Sequence, residues 1–342
     1  MSTMRVSGYW VSLFGLVALL QGCATLLKTA DKVPWLPSSI TANVADVDLL
    51  DVTFVSPQTG WLVGSKTTVL KTEDGGKTWQ TAFAQRLKGP TDAEGKQEDL
   101  KARFLSVDFS KDGQEGWIVG KPRIVLHTED GGKSWFAIPL NKRIDGNPLL
   151  ITVLGKGVAE LAMDTGFVFK TEDGGKVWRA LTPSSAGGLR NIYRTEDGSY
   201  WAVSARGSTY LTWTPGQPEW TNHERRSPKR IQNLVFVDQG SRGIMLNNGG
   251  EMQISEDRGK TWGNPNTPDI ASAAGLLDSA EDQSGRLWIT GGNGTLLVSP
   301  DEGKTWERAF VDTKSNLYRV EFMDKNLGFI LGRGIILRYQ AS

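Results

Sequence analysis

Thr72-Glu73-Asp74-Gly75-Gly76-Lys77-Thr78-Trp79 decides the fold, because it returns. The same octapeptide pattern runs from Thr128 to Trp135 and from Thr171 to Trp178, and looser copies run from Ser255 to Trp262 and from Ser299 to Trp306. A degenerate copy, Thr212 to Trp220, keeps a Gly and the Trp but has no Asp. The tryptophans fall at 79, 135, 178, 220, 262 and 306, so the steps are 56, 43, 42, 42 and 44 residues. A period of 42–44 is close to one four-stranded propeller blade.

The residues around each copy read as strands. Leu50–Ser56 alternates, Gly60–Gly64 is a second strand, Thr68–Thr72 a third, and the Trp opens a fourth. Alternation bounded by Gly and Asp is a strand signal, and Asp-Gly is a hairpin turn. The Asp carboxylate can accept backbone N–H groups across the turn, Gly takes positive φ, and Trp covers the hairpin from the side. The motif resembles the Asp-box of sialidase-type propellers, which specifies architecture and lies away from catalytic sites. After the sixth Trp, Leu317–Tyr339 holds three more strands and stops without a turn. Val33-Pro34-Trp35-Leu36 can supply the missing fourth. The expectation is an all-β fold, a seven-bladed β-propeller of residues 33–342 closed by its N-terminal strand, which leaves no exposed sheet edge. A six-bladed ring with a C-terminal appendage is the alternative. The long 56-residue step implies an insertion between Phe83 and Arg103, polar enough for a surface loop or short helix.

The N-terminus reads as an address. One basic residue, Arg5, precedes an apolar run from Val11 to Leu20, and Leu20-Gln21-Gly22-Cys23 follows. The run is too short for a fixed span and suits a secretory signal over residues 1–22. Its end resembles a bacterial lipobox, with Cys23 the lipidated first residue of the mature chain and 23–32 a tether. A plain signal peptide with an incidental Cys is the competing reading. Acyl chains contribute about 0.8 kcal/mol per buried CH2, so several hold a domain on a membrane.

Composition narrows the chemistry. The chain has 39 Lys and Arg against 38 Asp and Glu, which excludes polyanion binding through bulk charge. Cys23 is the only cysteine and His127 and His223 the only histidines, so no intramolecular disulfide or Cys/His zinc cluster can form. His127 precedes an Asp-box on a strand, where a structural role is expected; His223 reads as a solvated loop residue. A sialidase needs an arginine triad, a Tyr/Glu pair and a general acid. Pro122-Arg123-Ile124-Val125 only partly matches the first, and neither Tyr193 nor Tyr210 has an evident Glu partner. No enzymatic activity, cofactor or metal is expected.

Arginine is unevenly distributed. Arg179, Arg190, Arg194, Arg206, Arg225, Arg226, Lys229 and Arg230 share their segment with only Glu196, Asp197, Glu219 and Glu224. In a meander the B–C turns and the D-to-A connections lie at one end. Arg206, the 225–230 group and Arg190 should therefore converge, joined by Lys66, Lys121, Arg123 and Arg333, while the Asp-boxes occupy the other end. Guanidinium groups suit carboxylates and aromatic faces. The bland reading is a solvated rim with charges paired locally, Glu224 with Arg225 for instance. Anionic lipid is another class of partner for a tethered domain; nucleic acid is not expected.

Lipobox, Asp-box repeats and the segment from Gly187-Gly188-Leu189-Arg190 through Arg225-Arg226-Ser227-Pro228 together resemble the photosystem II stability/assembly factor family. The resemblance spans the mature chain. It implies a monomeric, non-enzymatic chaperone, lipid-anchored to the lumenal side of the thylakoid membrane, that binds newly made D1 precursor in early reaction-centre complexes. It assigns partner binding to Arg190, Arg194, Arg206, Arg225, Arg226 and Arg230. A sialidase-like glycoside-binding propeller or a general envelope assembly lipoprotein are the alternatives.

Overall fold

The computed structural model describes residues 34–82, 88–91, 97–225, 227–271 and 275–340. The signal segment, Cys23, the tether and Arg226 lie outside them. The described residues form seven sheets around an axis. In blade 1 the strands, A innermost to D outermost, are Leu49–Phe54, Gly60–Gly64, Val69–Thr72 and Thr78–Thr81. Blade 4 repeats this with Leu189–Arg194, Tyr200–Ser204, Tyr210–Trp213 and Thr221–His223. Blade 7 takes its first three strands from Leu317–Asp324, Leu327–Gly332 and Ile336–Tyr339, and its fourth from Trp35–Pro37. Trp35 pairs antiparallel with Tyr339, so the chain's two ends close the ring as expected. Ser39–Ile40 then runs parallel to Thr78–Trp79, adding a fifth strand to blade 1.

Burial explains the sequence pattern. Gly60–Gly64 is apolar without alternation because a B strand is covered on both faces, and all five residues are buried. Each apolar cluster joins two neighbouring blades: Leu49, Leu62 and Trp79 of blade 1 pack with Phe329 and Leu331 of blade 7, and Trp61 of blade 1 with Phe104 and Ile118 of blade 2. Removing one such tryptophan costs about 3–5 kcal/mol.

The Asp-boxes fasten these interfaces. Thr72 Oγ1 accepts the Gly76 N–H at 2.9 Å; Asp74 accepts the Thr78 N–H at 2.9 Å and the Thr78 hydroxyl at 2.7 Å. Gly76 has φ 78°, and a Cβ there would lie 2.3 Å from Phe329 of the preceding blade. Gly132 and Gly259 stand in the same relation to Trp61 and Trp201. The motif's Trp reaches across in the same direction, Trp135 onto Trp61 and Trp178 onto Trp117. The turn is thus a clip onto the previous blade, more than a cap on its own hairpin.

Three departures from the repeat have local causes. Within the insertion, where the sequence predicts a surface loop or short helix, the described residues Lys88–Thr91 and Gln97–Asp99 pair as an antiparallel ribbon. Blade 5 has only Ile231–Val237, Arg242–Asn247 and Met252–Ser255. After Trp262 the chain reads Gly263-Asn264-Pro265-Asn266-Thr267-Pro268, and two prolines cannot donate to a ladder, so the expected fourth strand shrinks to a bridge between Met252 and Asn266. In the degenerate turn of blade 4, the Gln217 side chain accepts the Thr214 N–H at 2.9 Å in place of an Asp.

Candidate functional site

The meander carries A–B and C–D turns to one end of the ring and B–C turns and D-to-A connections to the other. Arg206 lies in the B–C turn of blade 4; Arg225 and Arg230 lie in the connection from blade 4 to blade 5; Arg190 is the second residue of blade 4 strand A, at the same end. Arg190 donates to Ile231 O and to Gln232 Oε1, both at 3.0 Å, which seats it beside the blade 5 connection. Burial and the Arg230 charge next to it push the Arg190 pKa down. Arg225 donates to Lys229 O at 2.7 Å and Asn247 Oδ1 at 2.9 Å, and burial lowers its pKa too. Arg206 and Arg230 are exposed. Among the described residues none of these four guanidinium groups has a carboxylate in ion-pair range, and Glu224 is not joined to Arg225.

The other bases at this end behave differently. Lys121 pairs with Asp164 at 3.2 Å, Arg333 with Asp46 at 3.5 Å and Lys229 with Glu251 at 3.3 Å. Arg123 is occupied by the Ile144, Gly146 and Asn141 carbonyls. Lys66 is exposed in its turn. Net attraction for an anion is therefore concentrated over blades 4 and 5.

Arg194 does not join the cluster. It ends the strand whose second residue is Arg190, four residues further along, so it faces the Asp-box end. Its Nε lies 2.7 Å from Glu160 Oε2, which also accepts the Tyr200 hydroxyl at 2.7 Å. Burial disfavours the Arg194 charge, but Glu160 more than offsets it and its pKa rises. Glu160 stands where blades 1, 2 and 4 have a B-strand Trp, so Arg194 belongs to a structural triad between blades 3 and 4.

The histidines are both packed. His127 is buried, stacked on Trp117 with 3.9 Å between ring centroids and 3.1 Å from Glu115 Oε1, in keeping with a structural role. His223 is not a solvated loop residue: it ends blade 4 strand D, stacks on Tyr210 at 4.6 Å and shares a hydrogen bond with Thr212. Burial lowers its pKa, so the neutral ring prevails near pH 7. The Tyr193 and Tyr210 hydroxyls meet Phe236 O and Trp262 Nε1. Among the described residues no group of three or more His, Cys, Asp or Glu is arranged to hold a metal ion.

A second polar constellation lines the axis. The position that faces B-strand residue Val63 in blade 1 is Asp51, and its equivalents in blades 2 and 4 to 7 are Ser106, Asn191, Asn233, Asp278 and Arg319. These groups stitch blades together. Asp51 accepts the Val107 N–H at 2.8 Å and pairs with Arg319 at 3.2 Å; Asn233 donates to Asp278, and Asp278 accepts the Val320 N–H at 3.0 Å. One layer down, Asp108 accepts the Val153 N–H at 2.8 Å. Burial raises the Asp278 pKa to about 7 and the Asp108 pKa to about 6. Burial opposes the Arg319 charge, yet Asp51, Glu321 and Asp278 together hold its pKa above the ordinary arginine range. Asn191, Asn233, Asp278 and Arg319 border a cavity of about 1000 Å3. Aligning the A strands of the repeats could have exposed this layer.

Known proteins resemble the chain over most of its length. Residues 27–340 match the family described as photosynthesis system II assembly factor YCF48. The photosystem II assembly lipoprotein Ycf48 of Trichormus variabilis is 42% identical over 97% of this chain and 94% of its own length. The chloroplastic photosystem II stability/assembly factor HCF136 of Arabidopsis thaliana is 35% identical over 86% of this chain and 76% of its own. A solved structure described as YCF48 bound to D1 peptide superposes with a TM-score of 0.82 at 38% identity, covering 91% of this chain and 96% of that one. The chain belongs to the YCF48 family of photosystem II assembly factors.

Proposed function

We propose that this chain assists photosystem II assembly by holding an acidic segment of D1, the precursor included, on its arginine-bearing end, with no chemical step. Arg190, Arg206, Arg225 and Arg230 contact the client; Arg226 shares their segment, and Arg194 serves the fold. The observation that carries the reading is the convergence of four guanidinium groups, from three stretches of chain, with no described carboxylate in ion-pair range of any of them. A relative solved with a D1 peptide supports the choice of client. Lipidation at Cys23, in keeping with the lipoprotein names of relatives, confines the domain to the lumenal thylakoid surface and raises its effective concentration near membrane-inserted clients.

Exposed ion pairs contribute about 0.2–1 kcal/mol each. Four together amount to roughly 2–3 kcal/mol, about 30- to 150-fold in affinity. Such binding is reversible and salt-sensitive, as a transient factor requires. Arg206→Glu with Arg230→Glu should therefore abolish co-purification of D1 from solubilised membranes, with thermal unfolding unchanged because neither side chain is buried. Undiminished D1 recovery with the double variant would remove the arginine-bearing end from the mechanism.

A further inference from the structure

The missing fourth strand of blade 5 leaves a gap that other blades fill. Beside the Gly263–Asn266 segment lies a cleft of about 370 Å3, within the usual range of small-ligand sites of about 300–1,000 Å3. Tyr210, Met245, Trp262 and Pro265 give it an apolar and aromatic wall; Arg225 and Gln253 give it hydrogen-bond donors. Trp262 Nε1 donates to the Tyr210 hydroxyl at 3.2 Å, which fixes that wall. Three features of Arg225 point to a ligand. Its Nε is buried without a hydrogen-bond acceptor. Its Nη atoms reach only neutral oxygens, those of Lys229, Asn247 and, at 3.5 Å, Gln253. The carboxylate that acts on it through charge, Glu251, is hydrogen-bonded elsewhere, accepting from Ser227 and Asn247 and pairing with Lys229. Glu224 also borders the cleft, exposed and without an ion pair to Arg225.

We infer that this cleft seats one carboxylate of an extended peptide together with an adjacent apolar or aromatic side chain, Arg225 taking the carboxylate and Trp262 and Tyr210 the flank. The inference rests on the reading that the arginine-bearing end binds an acidic segment. It adds a specific pocket to an otherwise diffuse attraction. A planar fork set by two fixed acceptors discriminates geometry, which scattered surface charge does not. The carboxylate can come from an acidic side chain or from a chain end, and both present the same two oxygens.

The test uses the purified full chain and three fluorescent octapeptides: one with Glu beside Phe and both ends capped, its Glu→Gln twin, and the Gln twin with a free carboxylate directly after Phe. Anisotropy should show the Glu peptide, the free-carboxylate peptide or both bound about tenfold tighter than the capped Gln peptide. Whichever acid is preferred identifies the source. Arg225→Lys, which keeps the charge and removes the fork, should erase the preference. So should Asn264→Trp, an exposed position from which a larger ring fills the cleft. Melting temperatures confirm that both variants fold. Preference retained in both variants, or no preference in the unmodified chain, overturns the pocket. Arg206→Gln with Arg230→Gln reports separately on the surface: loss of all acidic binding there, with both cleft variants silent, leaves the surface reading standing alone.

Discussion

The two ends of the ring use charge in opposite ways. At the Asp-box end the motif aspartates are satisfied by their own turns: Asp130 accepts the Ser134 hydroxyl and the Ser134 N–H, Asp257 those of Thr261, and these bonds hold both pKa values down to about 2. At the other end Arg190, Arg206, Arg225 and Arg230 gather with no described carboxylate in ion-pair range, and burial together with the nearby Arg230 charge lowers the Arg190 pKa. Charged groups whose bonding capacity the fold closes are architecture; those it leaves open are where a partner adds free energy. That distinction, more than the count of charges, separates scaffold from site.

The largest effect should come from breaking the Asp-box end. Gly76→Ala places a methyl against the Phe329 ring and forces a non-glycine residue to φ 78°. Overpacking costs about 1–3 kcal/mol and the left-handed backbone about 1 more, so denaturant unfolding should show a loss of about 2–4 kcal/mol. Peptide binding, measured well below the transition, should not change. A variant as stable as the parent would show that the clip between blades 7 and 1 is slack.

The next effect sharpens the comparison through pH. The axial carboxylates Asp278 and Asp108, raised to about 7 and about 6 in the folded chain, start from 3.8. Between pH 4 and 7 the folded state holds protons that the unfolded state has lost, so their contribution is complete below pH 4 and fades as pH rises through 6 and 7. The Asp-box carboxylates run the other way: their stabilisation is present above pH 4 and is lost as pH falls towards 2. Melting temperature should therefore be higher at pH 5.5 than at pH 8 and drop steeply below pH 3. Asp278 borders the axial cavity, whose solvent screens it, so its contribution is on the order of 1 kcal/mol. Asp278→Asn should flatten the neutral limb and leave the acid limb intact; a neutral limb of unchanged slope would dissociate Asp278 from it.

Seven blades were legible because an eight-residue turn recurs at the blade period and the three strands left over after the sixth Trp lack the one that Trp35 supplies. Arg190, Arg206, Arg225 and Arg230 were legible for the same reason, since a meander sends their turns to one end. Arg194 was not, because it shares a strand with Arg190 and four residues at about 3.3 Å each carry it to the opposite end. His223 looked like loop because its neighbours are charged, while its ring turns onto Tyr210. The prolines at 265 and 268 did signal the lost strand in blade 5, but a conserved-looking Asp-box just before them spoke for a complete repeat. The axial layer was hidden for a different reason: Asp51, Asn233 and Asp278 bond across blades, and no window within one repeat contains both partners.

The smallest effect tests whether pairing itself is what separates the two classes of base at the arginine-bearing end. Arg333 and Asp46 lie 3.5 Å apart, with side chains 52% and 72% exposed. In that much water the attraction barely exceeds the entropy of holding two long side chains together, so Asp46→Ala should change stability by less than about 0.5 kcal/mol. It does, however, release a fifth guanidinium at this end. Arg333 belongs to blade 7, away from the cluster over blades 4 and 5, and the Debye length is about 8 Å at physiological salt. Client affinity should then be unchanged at that salt. At about 10 mM salt, where screening reaches about 30 Å, a slight gain is expected. A large gain at physiological salt would mean that the client spans the ring as far as blade 7, and that the cluster over blades 4 and 5 is only part of its footprint.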